Sequence, residues 1–334
     1  MTHHTIAIHH VEQVLQGAER RGVAIAPLLQ RAGISAALMD APLARVSQEQ
    51  YACLLRVVQR ALRDEFWGLC SRPLPLGSFA QCCRLLIHTP TVADALRVGF
   101  RYFHGALPDF VARLGVDGGV ASVRIVTPLP PEPSLLYAER TFMFFTFGLA
   151  SWLAARRIPL LGVDYRGPAP PNVADTARVF QARLRHGQPH FGLSFDARWL
   201  QLPIVQNTQS LREFLQQAPS NLLVKYRDKT SVTERIRRLL RSHLRAEMPS
   251  LEQVGRVLGM TPQTLRRRLS EEGQGFQSLK DHLRRDAAIE YLARPDMTLL
   301  DIADQLGFSE ASTFHRAFKK WTGVAPGEYR QRHR

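Results

Sequence analysis

Two segments of this chain carry the same punctuation 48 residues apart: Ser250-Leu-Glu-Gln-Val-Gly-Arg-Val-Leu-Gly-Met-Thr261 and Thr298-Leu-Leu-Asp-Ile-Ala-Asp-Gln-Leu-Gly-Phe-Ser309. Each opens on a hydroxyl suited to capping a helix. Apolar residues follow at Leu251, Val254 and Leu258 in the first and at Leu299, Ile302 and Leu306 in the second, a spacing that buries one helical face. Gly259 or Gly307 then stands where the helix must stop and turn. A second hydroxyl, Thr261 or Ser309, is placed to cap a second helix, and Pro262 sits at a first helical position, where its missing N–H costs nothing. The pattern predicts a helix-turn-helix, twice.

The second helix of each unit is amphipathic. In the first, Leu265 and Leu269 face inward, which gathers Gln263, Arg266, Arg267 and Ser270 on the opposite side. In the second, Phe314, Ala317, Phe318 and Trp321 form the inner side, and Ser312, His315, Arg316 and Lys319 the outer one. One extra residue in the second turn shifts the offset by one, so Arg267 pairs with Arg316. Both outer faces offer hydrogen-bond donors to base edges and phosphates, with no acid at their centre. A single Arg-rich helical face is most often a solvated surface. Two copies at fixed spacing reverse that weighting, because two such helices in one chain can enter successive major grooves about 34 Å apart and read a long, non-palindromic site.

The remainder of the 334 residues reads differently. Ser47-x-x-Gln50 has a capping-box pattern ahead of Tyr51, Leu54, Leu55, Val58 and Leu62 at helical spacing. Thr91 caps a helix through about Phe103; 110–114 and 120–127, split by Asp-Gly-Gly, read as a hairpin. A long helix starts at Ser134, and its uncharged stretch from Thr141 to Ala155 is too short to span a membrane and reads as a buried core helix. A strand at 160–165, a Pro-rich break at 168–171, a helix through Leu184 and a strand at 191–195 complete the region. From about Asn207 the strand signals vanish. The expected architecture is an α+β N-terminal domain over 1–205, a helical linker over 206–230, and an all-α C-terminal domain over 231–334 with two helix-turn-helix units. Leu211, Phe214 and Leu215 are expected on an amphipathic helix that packs between subunits.

Forty-four Lys plus Arg against 29 Asp plus Glu give a net charge of +15, which favours a polyanionic partner. The excess is divided, +9 over 1–230 and +6 over 231–334, so bulk charge does not locate the interface. The start of the chain lacks the basic and apolar pattern of a secretory leader, and four cysteines without paired spacing suit a reducing cytosol; a cytoplasmic location is expected.

Asp301-Ile-Ala-Asp-Gln-Leu-Gly-Phe-Ser309, continuing through Phe314, Arg316, Ala317, Phe318, Lys319, Gly323, Pro326 and Tyr329-Arg330, closely resembles the signature of the AraC/XylS regulators. The resemblance covers about 100 C-terminal residues. It implies a seven-helix domain in which a long helix, here about Ser278 to Ala293, holds the two recognition helices in adjacent grooves. Matched positions make Gln263, Arg266, Arg267, Ser312, His315, Arg316 and Lys319 the DNA-facing residues; three consecutive arginines at 266–268 also suit phosphate clamping. Less specifically, Glu19-Arg-Arg-Gly22, Leu28-Leu29, Ala32-Gly33-Ile34, Arg45-Val-Ser47, Phe191-Gly-Leu-Ser-Phe195, Trp199-Leu200 and Pro203 resemble the arabinose-binding-type effector and dimerisation domain of a subgroup of that family. The implied partners are promoter double-stranded DNA, a small-molecule effector of unknown identity, RNA polymerase and a second copy of the chain as a homodimer, with activation of transcription as the outcome.

Other chemistry has little support in the residues. Adjacent Cys82 and Cys83 fit core packing better than redox sensing, and His3, His4, His9 and His10 at a terminus lack the partners of a structural metal site. Arg101-Tyr-Phe-His104 suits an anionic or aromatic ligand, though such a cluster is more often packing at a helix end. No phosphate loop, G-x-S-x-G or H-E-x-x-H occurs, so no catalytic residue, metal or cofactor is expected. The runner-up is a DNA-repair or DNA-modifying enzyme with the same C-terminal module, whose metal site would need two spaced cysteine pairs. A membrane-surface protein is the third reading, and no membrane partner is expected.

Overall fold

A computed structural model describes residues 5–168, 180, 182–218, 232–245, 248–271, 275–294 and 296–333. The chain groups into two compact units, each drawn from separated stretches: Gln13–Ala24 with Leu55–Arg227, and Met1–Glu12 with Ile25–Leu54 and Asp228–Arg334.

The first of these is built on a five-stranded sheet in the order β3-β4-β7-β5-β6, with β3 Val111–Asp117, β4 Val120–Val126, β5 Leu160–Arg166, β6 Leu184–Gln188 and β7 Gly192–Asp196. All neighbours are antiparallel except β5 and β6. Gly118 and Gly119 both take positive φ at the β3–β4 turn, the conformation a two-residue hairpin demands. Alternation in β4 buries Ala121, Val123 and Ile125 on one face. Helices α4 Ser78–Leu86, α5 Val92–Ala106 and α6 Pro133–Leu153 complete this core. Thr91 caps α5 by accepting from the Asp94 amide, as its sequence predicts. The uncharged stretch expected to be a core helix is the C-terminal part of α6, where Phe142 meets the rings of Phe100, Phe103 and Phe110. Most of the helix expected before Leu184 lies outside the described residues, and 184–188 form a strand instead.

Helix α7, Thr208–Gln217, corrects one expectation. It opens on an Asn207/Ser210 capping box and is amphipathic, but its apolar side is spent within its own unit. Leu211 and Phe214 are buried, and Phe214 stacks on Trp152 at 4.2 Å and lies beside Phe79. An aromatic shelf from α4 and α6 therefore occupies the face proposed for a subunit contact.

Among the described residues the second unit holds seven C-terminal helices: α8 Val232–Ser242, α9 Leu251–Leu258, α10 Pro262–Glu271, α11 Phe276–Leu292, α12 Leu299–Gln305, α13 Ala311–Thr322 and α14 Pro326–His333. The long α11 packs against α8, α12, α13 and α14. The unit also contains N-terminal elements: β1 Thr5–Ala7 pairs antiparallel with β2 Arg45–Ser47, and α2 Ile25–Arg31 lies between them in sequence, while α1 Ile8–Arg20 and α3 Gln48–Leu62 each begin here. The capping box read at Ser47 and Gln50 forms reciprocally.

A buried polar tie joins these N-terminal strands to the helices. The Thr5 hydroxyl donates to Asp286 Oδ1 at 2.6 Å while accepting from Arg45 Nε at 2.7 Å. Arg45 Nη2 donates to the Thr5 carbonyl, Arg285 donates twice to Asp286 Oδ1, and the Tyr329 hydroxyl donates to the Arg45 carbonyl. Thr5, Arg45, Arg285, Asp286 and Tyr329 are all buried, so each charge depends on these partners.

Candidate nucleic-acid interface

The first helix of each repeat is capped and closed by the same hydrogen bonds. Ser250 accepts from the Gln253 amide while Gln253 accepts from the Ser250 amide, and Thr298 and Asp301 do the same at the start of α12. Each first helix closes with the same pair of backbone bonds: Met260 N–H to Gly255 carbonyl and Gly259 N–H to Arg256 carbonyl, then Phe308 N–H to Ala303 carbonyl and Gly307 N–H to Asp304 carbonyl. Gly259 and Gly307 take φ of 66° and 69°, the left-handed conformation this closure requires. At Gly255 a Cβ would lie 2.6 Å from the Met260 carbonyl oxygen, so the first turn is tighter than the second, which carries Ala303 there.

The second helices differ in their entry. Thr261 accepts from the Thr264 amide and α10 begins at Pro262, as read from the sequence. In the second unit the helix is entered through Glu310, whose side chain makes no cap bond, and Ser309 lies one position earlier. The extra residue that shifts the offset thus displaces Ser309 from the capping role expected of it.

Beyond the turns, the inward and outward assignments separate as the periodicity demands. Leu265 and Leu269 in α10, and Phe314 and Phe318 in α13, are buried; Ala317 and Trp321 are half-buried. Gln263, Arg266, Arg267 and Ser270 are exposed together on α10, and Ser312, Arg316 and Lys319 on α13, with His315 half-buried against the Phe314 ring. Ser312 donates to Glu310 at 3.0 Å and Arg316 to Thr313 at 3.5 Å. Two exposed cations, Arg268 and Lys320, extend the ridges. Lys320 did not enter the sequence reading, although its position in the last turn of α13 beside Lys319 is a favourable one for a cation.

Central helix α11 braces the second turn. Arg284 sets its guanidinium over the Phe308 ring at 5.1 Å and donates to the Leu306 carbonyl at 3.2 Å, and burial lowers its pKa from the ordinary arginine value. On α9, the Glu252 carboxyl is held below the usual range, first by hydrogen bonds to its own backbone and Ser250 and then by Arg266 and Arg256.

The remaining candidates disperse. Cys70, Cys82 and Cys83 are buried, and burial pushes the Cys82 thiol up to about 12 and raises the other two. These are neutral packing groups. His9 and His10 lie on α1 with ring centroids 4.0 Å apart; His3 and His4 fall outside the described residues. Among the described residues no group of three His, Cys, Asp or Glu side chains is placed to hold a metal ion. Of the 101–104 cluster, Arg101 and His104 are exposed, whereas Tyr102 and Phe103 are half-buried against the core, Phe103 meeting Phe142 edge-on at 5.5 Å. No described helix is long and apolar enough to cross a membrane.

Comparison with known proteins gives two family matches: the N-terminal arabinose-binding domain of AraC transcription regulators over residues 22–204, and a helix-turn-helix domain over residues 254–332. The chain is 26% identical over 327 residues to the ornithine utilization regulator of Pseudomonas aeruginosa, covering 98% of this chain and 96% of that one. Over 100 residues it is 39% identical to the regulator VirS of Mycobacterium tuberculosis, 30% of this chain and 29% of the relative. The solved structure of transcriptional regulator CdpR from Pseudomonas aeruginosa aligns over 96% of this chain and 98% of its own at 18% identity, with a TM-score of 0.30.

Proposed function

The chain belongs to the AraC family of DNA-binding transcription regulators, and from that premise we propose that it is a ligand-responsive activator which lays α10 and α13 into successive major grooves of one promoter duplex. The observation that carries this reading is the repetition itself: two boxed helices, two identically closed turns and two exposed donor ridges, on either side of one long helix. In it, Arg316, His315 and Ser312 from α13 and Gln263, Arg266 and Arg267 from α10 face the DNA, with Lys319 on phosphate. A fork-shaped guanidinium suits the paired acceptors of guanine, whereas a run of three arginines suits the sugar-phosphate backbone.

Residues 1–205 supply ligand sensing and homodimer formation, 206–230 connect them to the reader at 231–334, and the complex works in the cytoplasm by engaging RNA polymerase. It performs no catalysis of its own. Hydroxyl-radical footprinting on duplexes selected from a random library tests the DNA-binding geometry. The expected pattern is an asymmetric site with two protected major-groove segments about one helical turn apart for each bound chain. A single protected groove per chain would overturn it.

A further inference from the structure

Strand β3 stands at one edge of the five-stranded sheet, and its seven residues, Val111–Asp117, pair with β4 in an unbroken register. Gly118 and Gly119 make a two-residue turn, so Asp117 and Val120 exchange backbone hydrogen bonds, and so does every second pair beyond them: Gly115 with Ser122, Arg113 with Arg124. The N–H and C=O groups of Leu114 and Val116 therefore point away from β4. Among the described residues no hydrogen bond reaches them. Val116 is 56% exposed, and Arg113, Gly115 and Asp117 are exposed beside it. Such an edge is a template for another strand unless a proline, a bulge or a covering element blocks it. Strand β3 carries neither proline nor bulge. The opposite edge, β6, is shorter, and a register shift interrupts its pairing with β5.

Charge along this edge suits a two-fold partner. Arg113 lies directly across from Arg124 on the exposed face, and like charges in that position are destabilising. Among the described residues neither arginine has an ion pair, and nor does Asp117 at the far end of the strand. When two copies of β3 pair antiparallel about an axis at Gly115, Arg113 of each stands directly opposite Asp117 of the other. Leu114 of each then exchanges both outward backbone bonds with Val116 of the other, and the two apolar side chains meet on the inner face. Gly115 brings no side chain to the axis. Centring the pair on Arg113 would set arginine against arginine, and centring it on Leu114 would leave Asp117 opposite Val111. The register at Gly115 alone gives each exposed charge of the strand its opposite and covers Val116.

We propose that the free edge of β3 is the homodimer contact: a second copy of this chain adds its own β3 antiparallel about Gly115, joining the two sheets into one. This surface rests on the homodimer reading and gives it a strand, a register and a pair of ions. Helix α7 does not compete for the role, because its apolar side is spent on Trp152.

Sedimentation velocity of the full-length chain over a range of concentrations should show a dimer. Arg113→Asp and Asp117→Arg should each weaken it about tenfold, since each sets like charges opposite at both symmetry-related pairs, and the double variant should return to within about threefold of the wild type. Gly115→Cys supplies an independent readout, because a Cβ there would meet only Ser122 Oγ at 3.5 Å, an ordinary contact. Opposed Cα atoms of a non-hydrogen-bonded pair lie about 4.5 Å apart, within disulfide reach, so this variant should form a covalent dimer under mild oxidation. Wild type and Arg124→Cys, one strand inward, should not. A dimer that neither charge reversal weakens, a double variant no better than the single ones, or no crosslink at Gly115 would overturn this surface and leave the homodimer reading standing. A wild-type chain that stays monomeric at every concentration would overturn both. Arg113→Asp that keeps the dimer and loses affinity for duplex DNA would overturn it in favour of a nucleic-acid contact at this edge.

Discussion

Single side chains in this protein divide into those placed for an outside partner and those placed for the fold, and the two groups respond to different measurements. Arg316 stands exposed on the outer side of α13 while the next helical positions inward, Phe314 and Phe318, are wholly buried. Its replacement should leave stability nearly unchanged. Arg316→Ala should weaken cognate DNA binding by about 1 to 3 kcal/mol and relax preference at one base position, read by titration against single-base variants of the site. Equal losses on every duplex would reassign it to phosphate. Glu139 belongs to the other group. It is 1% exposed, donates nothing, accepts from Arg166 at 2.7 Å, and has its second oxygen unpartnered. Burial outweighs the Arg166 attraction and pushes its carboxyl up to about 7 from the ordinary 4.5. A carboxyl raised on folding keeps its proton where the unfolded chain has lost it, so its contribution favours the fold at low pH and fades as pH rises from about 4.5 to about 7. Denaturant midpoints across that window should fall with pH in the wild type. In Glu139→Gln, which cannot titrate, that part of the slope should vanish; an unchanged slope would show that Glu139 is ionised throughout.

At the scale of elements, what could be read in the sequence was what neighbours in sequence determine. Both hydroxyl N-caps, both glycine-closed turns, Pro262 at the start of α10 and the Asp-Gly-Gly hairpin are set within a few residues, and each stands where the pattern placed it. The donor ridges were legible for the same reason, since a helix assigns its faces by counting. Ser309 does not cap α13 because the extra residue of the second turn, itself visible in the shifted offset, moves the cap position on to Glu310. Long-range pairings left no local trace. Nothing about Leu211 and Phe214 distinguishes a face for a second subunit from one that seats on Trp152, and nothing at Thr5 announces Asp286 more than 280 positions away. The tie of β1 and β2 to α11 is therefore the strongest structural addition. Asp286→Ala would strip the buried carboxylate that Arg285 and Thr5 both address, removing two charge-assisted bonds from the buried Arg285 guanidinium. The expected cost is about 3 to 5 kcal/mol, read from chemical denaturation. A loss below about 1 kcal/mol would mean that water replaces the carboxylate without penalty.

For the molecule as a whole, the decisive quantity is how its positive charge is spent. The net +15 is divided between the two halves, so general attraction to a polyanion belongs to the entire chain, whereas sequence reading belongs to two short ridges. These contributions separate on a salt axis, because each phosphate neutralised by a cation releases counterions and steepens the fall of log K with log salt by about 0.9. If Arg266, Arg267 and Arg268 clamp phosphates while Arg316 reads a base, the two units of the repeat have diverged in task while keeping the same closure geometry. Replacing all three first-unit arginines by alanine should then make the salt dependence shallower by about 2 to 3, and should weaken cognate and unrelated duplexes by similar factors. Arg316→Ala should leave the slope almost untouched and lose affinity mainly on the cognate site. Should the triple variant keep the wild-type slope, α10 would not lie against the duplex, and one chain would engage a single groove. A second chain would then have to supply the rest of the site, and the footprint would turn palindromic.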